Sequence, residues 1–187
     1  MNTVVSLSHI LWQSFLKKGD TAIDATCGNG HDTLFLAKAI LTEESGTLYA
    51  IDRQESAIIE TKKRLKENQL SLERISFIAD CHSNIDQILV QGVDLIVYNL
   101  GYLPGSDKSV TTEEMTSLES IQKGLNLLRV GGIMSITCYP GHDEGKIESD
   151  AILSFAKRLS PAFSCSQHLW INRRDTAPFL LTIQKTK

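Results

Sequence analysis

The segment Asp24-Ala25-Thr26-Cys27-Gly28-Asn29-Gly30-His31-Asp32 sets two glycines one residue apart between carboxylates, directly after the short apolar run TAID. A turn with glycine at both positions lets backbone approach a ligand closely, because no Cβ stands in the way. Three further apolar runs also close on polar groups. TLYAID closes on Asp52, ISFIAD on Asp80 with Cys81 and His82 behind it, and VDLIVYNL on Asn99, with Tyr102 shortly after. Four consecutive runs ending in hydrogen-bonding side chains suggest one polar rim that holds a small molecule.

The residue types narrow that molecule. A dinucleotide fingerprint, G-x-G-x-x-G, keeps its third glycine for close helix packing beside a pyrophosphate; here that position is Thr33. Asp32 adds negative charge where a pyrophosphate would approach. An acidic, hydroxyl-bearing turn suits a cation better, and S-adenosylmethionine carries a sulfonium and an ammonium but no phosphate. On this reading Asp24, Gly28, Asn29, Gly30, His31 and Asp32 surround the cofactor. Asp52 accepts from the ribose diol, Gln54 bonds the adenosine, and Cys81 and His82 border the adenine. Cys27 reads as a small packed residue rather than a nucleophile.

A rim of this kind needs strands ending at one edge and helices returning the chain. Leu7, Leu11 and Phe15 recur at helical spacing and predict an opening amphipathic helix. The runs TAIDAT, TLYAID, ISFIAD, VDLIVYNL and GIMSITCYP predict strands. Between them, Leu34, Ala37 and Leu41 share one helical face, as do Ile58 and Leu65, and Glu60–Arg64 is spaced for an i,i+4 pair. Thr111-x-x-Glu114 predicts a capping box before Met115, Leu118, Ile121, Leu125 and Leu128, with Gly131-Gly132 ending that helix. Ile152, Phe155 and Leu159 mark another helix. Alternation of this kind predicts a parallel, doubly wound α/β sheet. FSCSQHLWIN and PFLLTIQKTK, joined by the polar turn RRDTA, predict a C-terminal antiparallel hairpin on that sheet.

Composition sets the outer bounds. At 187 residues, with 42% hydrophobic and 22% charged residues, the chain reads as a single domain over residues 1–187. A net charge of −3 argues against broad, non-specific nucleic-acid binding, which needs a basic face. The four cysteines are scattered without a C-x-x-C pair, predicting neither a zinc cage nor a disulfide framework, so no metal is expected. The N-terminal stretch is too short and too interrupted to span a membrane, and a cytoplasmic protein is expected.

DATCGNGHDT, YAIDRQ, NLGYLPGSDKSVTT, YPGHDEG and INRRDTAPFL together resemble the small class I methyltransferases known as rRNA methylases. The likeness runs over nearly the whole chain. The first two motifs are general to class I methyltransferases, whereas NLGYLPGSDKS and YPGHDEG are more discriminating. The resemblance implies a Rossmann-like class I methyltransferase fold and methylation of 5-aminomethyl-2-thiouridine at the tRNA wobble position. The tRNA anticodon region is then the partner, and a homodimer is compatible with the sequence.

Where many amine methyltransferases carry Asn/Asp-Pro-Pro-Tyr, this chain has Asn99-Leu100-Gly101-Tyr102, which keeps the amide and the ring but not the prolines. For an amine acceptor, Asn99 is the candidate to hold the amine through its carbonyl oxygen, and Asp107 is either the proton acceptor or a loop residue bonding its own backbone; Tyr102 is the third catalytic candidate. Tyr139, His142, Arg173 and Arg174 are the substrate-side candidates. Two readings stand beside this one: a methyltransferase for rRNA or for a small-molecule or protein amine, and a Rossmann-like oxidoreductase or non-catalytic module.

Overall fold

The computed structural model describes residues 3–88, 92–101 and 114–187. In chain order these form α1 (Val4–Phe15), β1 (Thr21–Asp24), α2 (His31–Ile40), β2 (Thr47–Asp52), α3 (Glu55–Glu67), β3 (Ile75–Ala79), a short 3-10 helix (His82–Gln87), β4 (Val93–Asn99), α4 (Glu114–Leu127), β5 (Leu128–Cys138), α5 (Asp143–Ala156), β6 (Phe163–His168) and β7 (Phe179–Lys185). The strands make one sheet in the order β3-β2-β1-β4-β5-β7-β6. β1 to β5 pair in parallel, and β7 runs antiparallel to both β5 and β6. The order reverses between β1 and β4, and such a switch point opens a crevice at the carboxyl ends of the strands.

Residues alternate across a strand, and in β1 and β4 both faces are apolar. Ala22, Leu95 and Val97 join a core with Trp12, Leu36, Ala37, Ile40 and Leu65, so α1, α2 and α3 cover one face. Ile23, Ile96 and Tyr98 join Ile121, Leu125, Ile152 and Ala156, so α4 and α5 cover the other. This is why VDLIVYNL is a near-continuous apolar run rather than an alternating one.

The structure departs from the periodicity in three places. The buried face of α1 is Val4, Ser8 and Trp12, while Leu7, Leu11 and Phe15 flank it. Burial of the polar groups is made tolerable by bonding: the Ser8 hydroxyl donates to the Val4 carbonyl at 3.0 Å, and the Trp12 indole N–H donates to Ser135 Oγ at 2.8 Å. Secondly, Gly131 and Gly132 lie inside β5 and do not end α4, which gives way to strand at Leu128. There the register slips between Val93↔Leu128 and Leu95↔Ile133, and a Cβ on Gly132 would sit 2.7 Å from the Val93 carbonyl oxygen. The glycines therefore serve a strand irregularity. Thirdly, the connection between β6 and β7 is the whole of residues 169–178, since Leu169-Trp170-Ile171-Asn172 lies outside the strand. The predicted capping box at Thr111 lies outside the described residues.

Candidate active site

The glycine turn sits between the end of β1 and the start of α2. Gly28 and Gly30 take φ of +50° and +75°, the left-handed region that favours glycine. A Cβ on Gly30 would also come within 2.8 Å of the Thr61 backbone, so α3 packs directly against the turn. Thr61 Oγ1 donates to the Gly28 carbonyl at 3.0 Å, and Arg64 Nε donates to the Asn29 carbonyl. The expected Glu60–Arg64 pair does not form; Glu60 pairs with Lys63 at 3.7 Å instead.

Asp52 ends β2 facing this turn. One carboxylate oxygen accepts from the Gly28 N–H at 3.0 Å and the other from the Gln54 N–H at 2.9 Å. Each oxygen keeps further acceptor capacity, and the residue is only partly buried. Asp24 is 1% exposed and accepts from the Thr33 hydroxyl at 2.6 Å and the Thr26 N–H at 3.3 Å. Burial, and then the Asp32 charge, push its carboxyl up to about 7. His31 is exposed at the first position of α2, with Asp32 partly buried beside it. Among the described residues no lysine or arginine forms an ion pair with Asp24, Asp32 or Asp52.

A second cluster adjoins the first. The Asn99 backbone N–H donates to Thr26 Oγ1 at 2.7 Å, tying the end of β4 to the glycine segment. The Asn99 side-chain amide donates to Asp32 Oδ2 at 3.2 Å, and Asp32 Oδ1 lies 2.7 Å from His9 Nε2 on α1. The Tyr139 hydroxyl is hydrogen-bonded to the Asn99 side chain; burial, then the Asp32 charge, push that phenol up to about 12, so it is a neutral hydroxyl at physiological pH. Gly101 brings backbone under the Tyr139 ring, where a Cβ would sit 3.4 Å from Cδ2. Asp24, Asp32 and Asn99 thus meet at the carboxyl ends of β1 and β4. Sequence reasoning found those three but missed His9 and Thr26, which hold them, and Thr61, which holds the Gly28 carbonyl. No local pattern marks His9, which lies 23 positions from its partner.

Asp80, beyond β3, was placed at the rim without a role. Its N–H donates to the Asp52 carbonyl at 3.1 Å, and its carboxylate accepts from the Cys81 N–H at 2.7 Å and from the Asn84 amide. Cys81 is partly buried. His82 is 7% exposed, and its Nε2 has no hydrogen-bond partner among the described residues. Burial, and then Arg53, lower its imidazole to about 4, so it is neutral. Cys27 is buried, which pushes its thiol up and leaves it unreactive.

His142 is the N-cap of α5, its Nδ1 accepting from the Gly145 N–H at 3.0 Å. Arg173 and Arg174 are exposed in the 169–178 connection, whose Thr176 carbonyl is 3.6 Å from a Cβ built on Gly141. That loop therefore abuts the segment following β5. Tyr102 and Asp107 lie outside the described residues. Among those described, no group of three His, Cys, Asp or Glu residues is placed to hold a metal ion, and no helix is long and apolar enough to cross a membrane.

The donor set fits S-adenosylmethionine. Three carboxylates converge on a glycine turn and, among the described residues, no lysine or arginine is paired to them, an environment that favours a sulfonium and an ammonium over a phosphate. The free acceptor capacity of Asp52 suits a diol.

The chain belongs to the family described as "Putative rRNA methylase", which matches residues 48–184. It is 34% identical, over 96% of its length and 68% of the relative's, to the chloroplastic tRNA (mnm(5)s(2)U34)-methyltransferase of Arabidopsis thaliana. A Clostridium thermocellum protein of the same family description superposes with a TM-score of 0.93 at 35% identity, covering 99% of this chain and 98% of that one. A Streptococcus mutans protein solved in complex with SAH is also 35% identical, with a TM-score of 0.85 and 99% of both chains covered. The fold is that of the Rossmann-like methyltransferases, and the protein is an S-adenosylmethionine-dependent methyltransferase.

Proposed function

We propose that this protein methylates the primary amine of 5-aminomethyl-2-thiouridine at the wobble position of tRNA, giving the 5-methylaminomethyl product. The observation that carries this reading is the 34% identity to a tRNA (mnm(5)s(2)U34)-methyltransferase across 96% of the chain. The site geometry agrees with it. An amine acceptor needs a hydrogen-bond acceptor and an anionic surrounding, and Asn99, Asp32 and Tyr139 supply these beside the glycine turn.

S-adenosylmethionine supplies an activated methyl on a sulfonium. The chain's residues have four tasks: hold the donor, hold the amine in line, exclude water and let a proton leave. Asp52 and the backbone around Gly28 and Gly30 hold the ribose and amino-acid ends, with Asn29, His31 and Gln54 around them and Cys81 and His82 beside the adenine. Asp24 and Asp32 favour the cationic portion. Asn99 cannot act as a base at ordinary pH, so its carbonyl oxygen orients the neutral amine. Asp107 takes the proton, and Tyr102, Tyr139 and His142 line the acceptor pocket.

With a net charge of −3, the whole chain acts as one domain and grips RNA locally, through loops around the site. Arg173 and Arg174 contact phosphate there. The reading is tested by nucleoside mass spectrometry of tRNA from a strain lacking the gene. Accumulation of the unmethylated 5-aminomethyl-2-thiouridine is expected; an unchanged nucleoside profile would move the substrate to rRNA or to a small-molecule or protein amine.

A further inference from the structure

The opening helix contributes one polar side chain to the site, and no motif accounts for it. His9 stacks on Phe35 of α2, with ring centroids 4.2 Å apart and planes 19° from parallel, and sits 5.0 Å from the Trp12 ring. Trp12 is itself fixed by its bond to Ser135. The imidazole is therefore clamped on two sides and presents Nε2 to Asp32 Oδ1 at 2.7 Å. The two side chains are 26% and 12% exposed, so the contact is shielded from water.

We propose that His9 is a positioning residue for methyl transfer: by fixing the Asp32 carboxylate, it sets which way the Asn99 amide points. The geometry runs through one carboxylate. Nε2–H occupies Oδ1, whether the ring is neutral or protonated, and this leaves Oδ2 for the Asn99 Nδ2 at 3.2 Å. An asparagine amide has two faces of opposite character. With its NH2 held by an anion, its carbonyl must point away from Asp32, to where an incoming amine needs an acceptor. The reversed amide would set a carbonyl oxygen against a carboxylate. The Asn99 backbone is separately anchored by Thr26 and its side chain also meets the Tyr139 hydroxyl, so His9 acts on the side-chain torsion through Asp32, beside Tyr139. Without His9, Asp32 loses the partner that fixes Oδ1, and the amide's direction is held less tightly.

The rate half of the test rests on the amine-methylation reading; the geometric half does not, because it is measured in the free protein. His9→Phe keeps a ring on Phe35 and removes the N–H, whereas His9→Gln keeps a donor. In nitrogen-15 spectra without cofactor, the Asn99 side-chain amide resonance, assigned by its loss in Asn99→Ala, is expected to shift in His9→Phe and to return towards the native position in His9→Gln. An unmoved resonance in His9→Phe overturns the proposal. In single-turnover methyl transfer with S-adenosylmethionine saturating, His9→Phe is expected to slow the reaction about tenfold or more, the scale of a misdirected reacting group. The same change made in Asn99→Ala is expected to cost little further, because the two residues act as one unit. Fully additive losses overturn the proposal as well. Should His9→Phe not fold, His9→Leu, which also lacks the N–H, carries the resonance test with the same expected and contrary results. Should tRNA prove not to be the substrate, the resonance alone decides.

Discussion

At the scale of single residues, the carboxylates at the glycine turn differ in what surrounds them, and this makes them separable. Asp24 is raised from 3.8 to about 7 by burial and by Asp32. A folded-state value above the ordinary one means that ionising Asp24 opposes folding, so the free protein loses stability as pH rises from about 4 to about 7, with the loss complete above that. A cationic ligand reverses the preference by favouring the anion. Affinity for S-adenosylmethionine should therefore rise about tenfold from pH 6 to pH 8, and Asp24→Asn should flatten that rise; calorimetric titration across this window checks both. Asp52 is partly exposed and met by two backbone donors. Asp52→Ala should weaken cofactor binding by roughly 1–3 kcal/mol, the cost of losing charge-assisted bonds. An unchanged affinity in a folded variant would take the ribose away from Asp52. Asp24, Asp52 and Asn99 were legible in sequence because each ends an apolar run. His9 was not, because its contact to Asp32 exists only once α1 has docked.

At the scale of elements, close packing of α3 on the turn shapes the cofactor side. Gly30→Ala forces a Cβ to within 2.8 Å of Thr61 at a φ of +75°. The change should destabilise the protein by about 1–3 kcal/mol in denaturant unfolding and weaken the cofactor in parallel. Native stability in that variant would show that the turn relaxes freely. The strands were readable because buried parallel strands are short apolar runs ended by polar groups. The inner face of α1 was misjudged for a physical reason. Leu7, Leu11 and Phe15 fit the period, yet the fold buries Ser8 and Trp12 by satisfying their polar atoms within the chain. Gly131-Gly132 misled in the same way: a glycine pair after a helix looks like a stop, whereas here it lets β5 pass the Val93 carbonyl. Ser135 and Val93 lie far along the chain from Trp12 and Gly132, so neither contact was visible in the sequence.

At the scale of the whole molecule, the net charge of −3 limits how RNA is held. A few local cations release few counterions, so tRNA affinity should fall with salt along a shallow slope. Arg173→Ala combined with Arg174→Ala should weaken tRNA binding and leave S-adenosylmethionine binding alone; equal tRNA binding by the double variant would return both arginines to a solvated loop. The family, the fold and the donor set together fix the class of reaction, and the acceptor is the central claim. It is tested most directly by incubating the purified protein with methyl-labelled S-adenosylmethionine and tRNA carrying 5-aminomethyl-2-thiouridine, then reading the nucleosides by mass spectrometry. One labelled methyl is expected on the wobble nucleoside, on the side-chain nitrogen, and none on tRNA lacking the aminomethyl group. Label in another nucleoside, or a protein that binds the cofactor and leaves this tRNA unmodified, would contradict it.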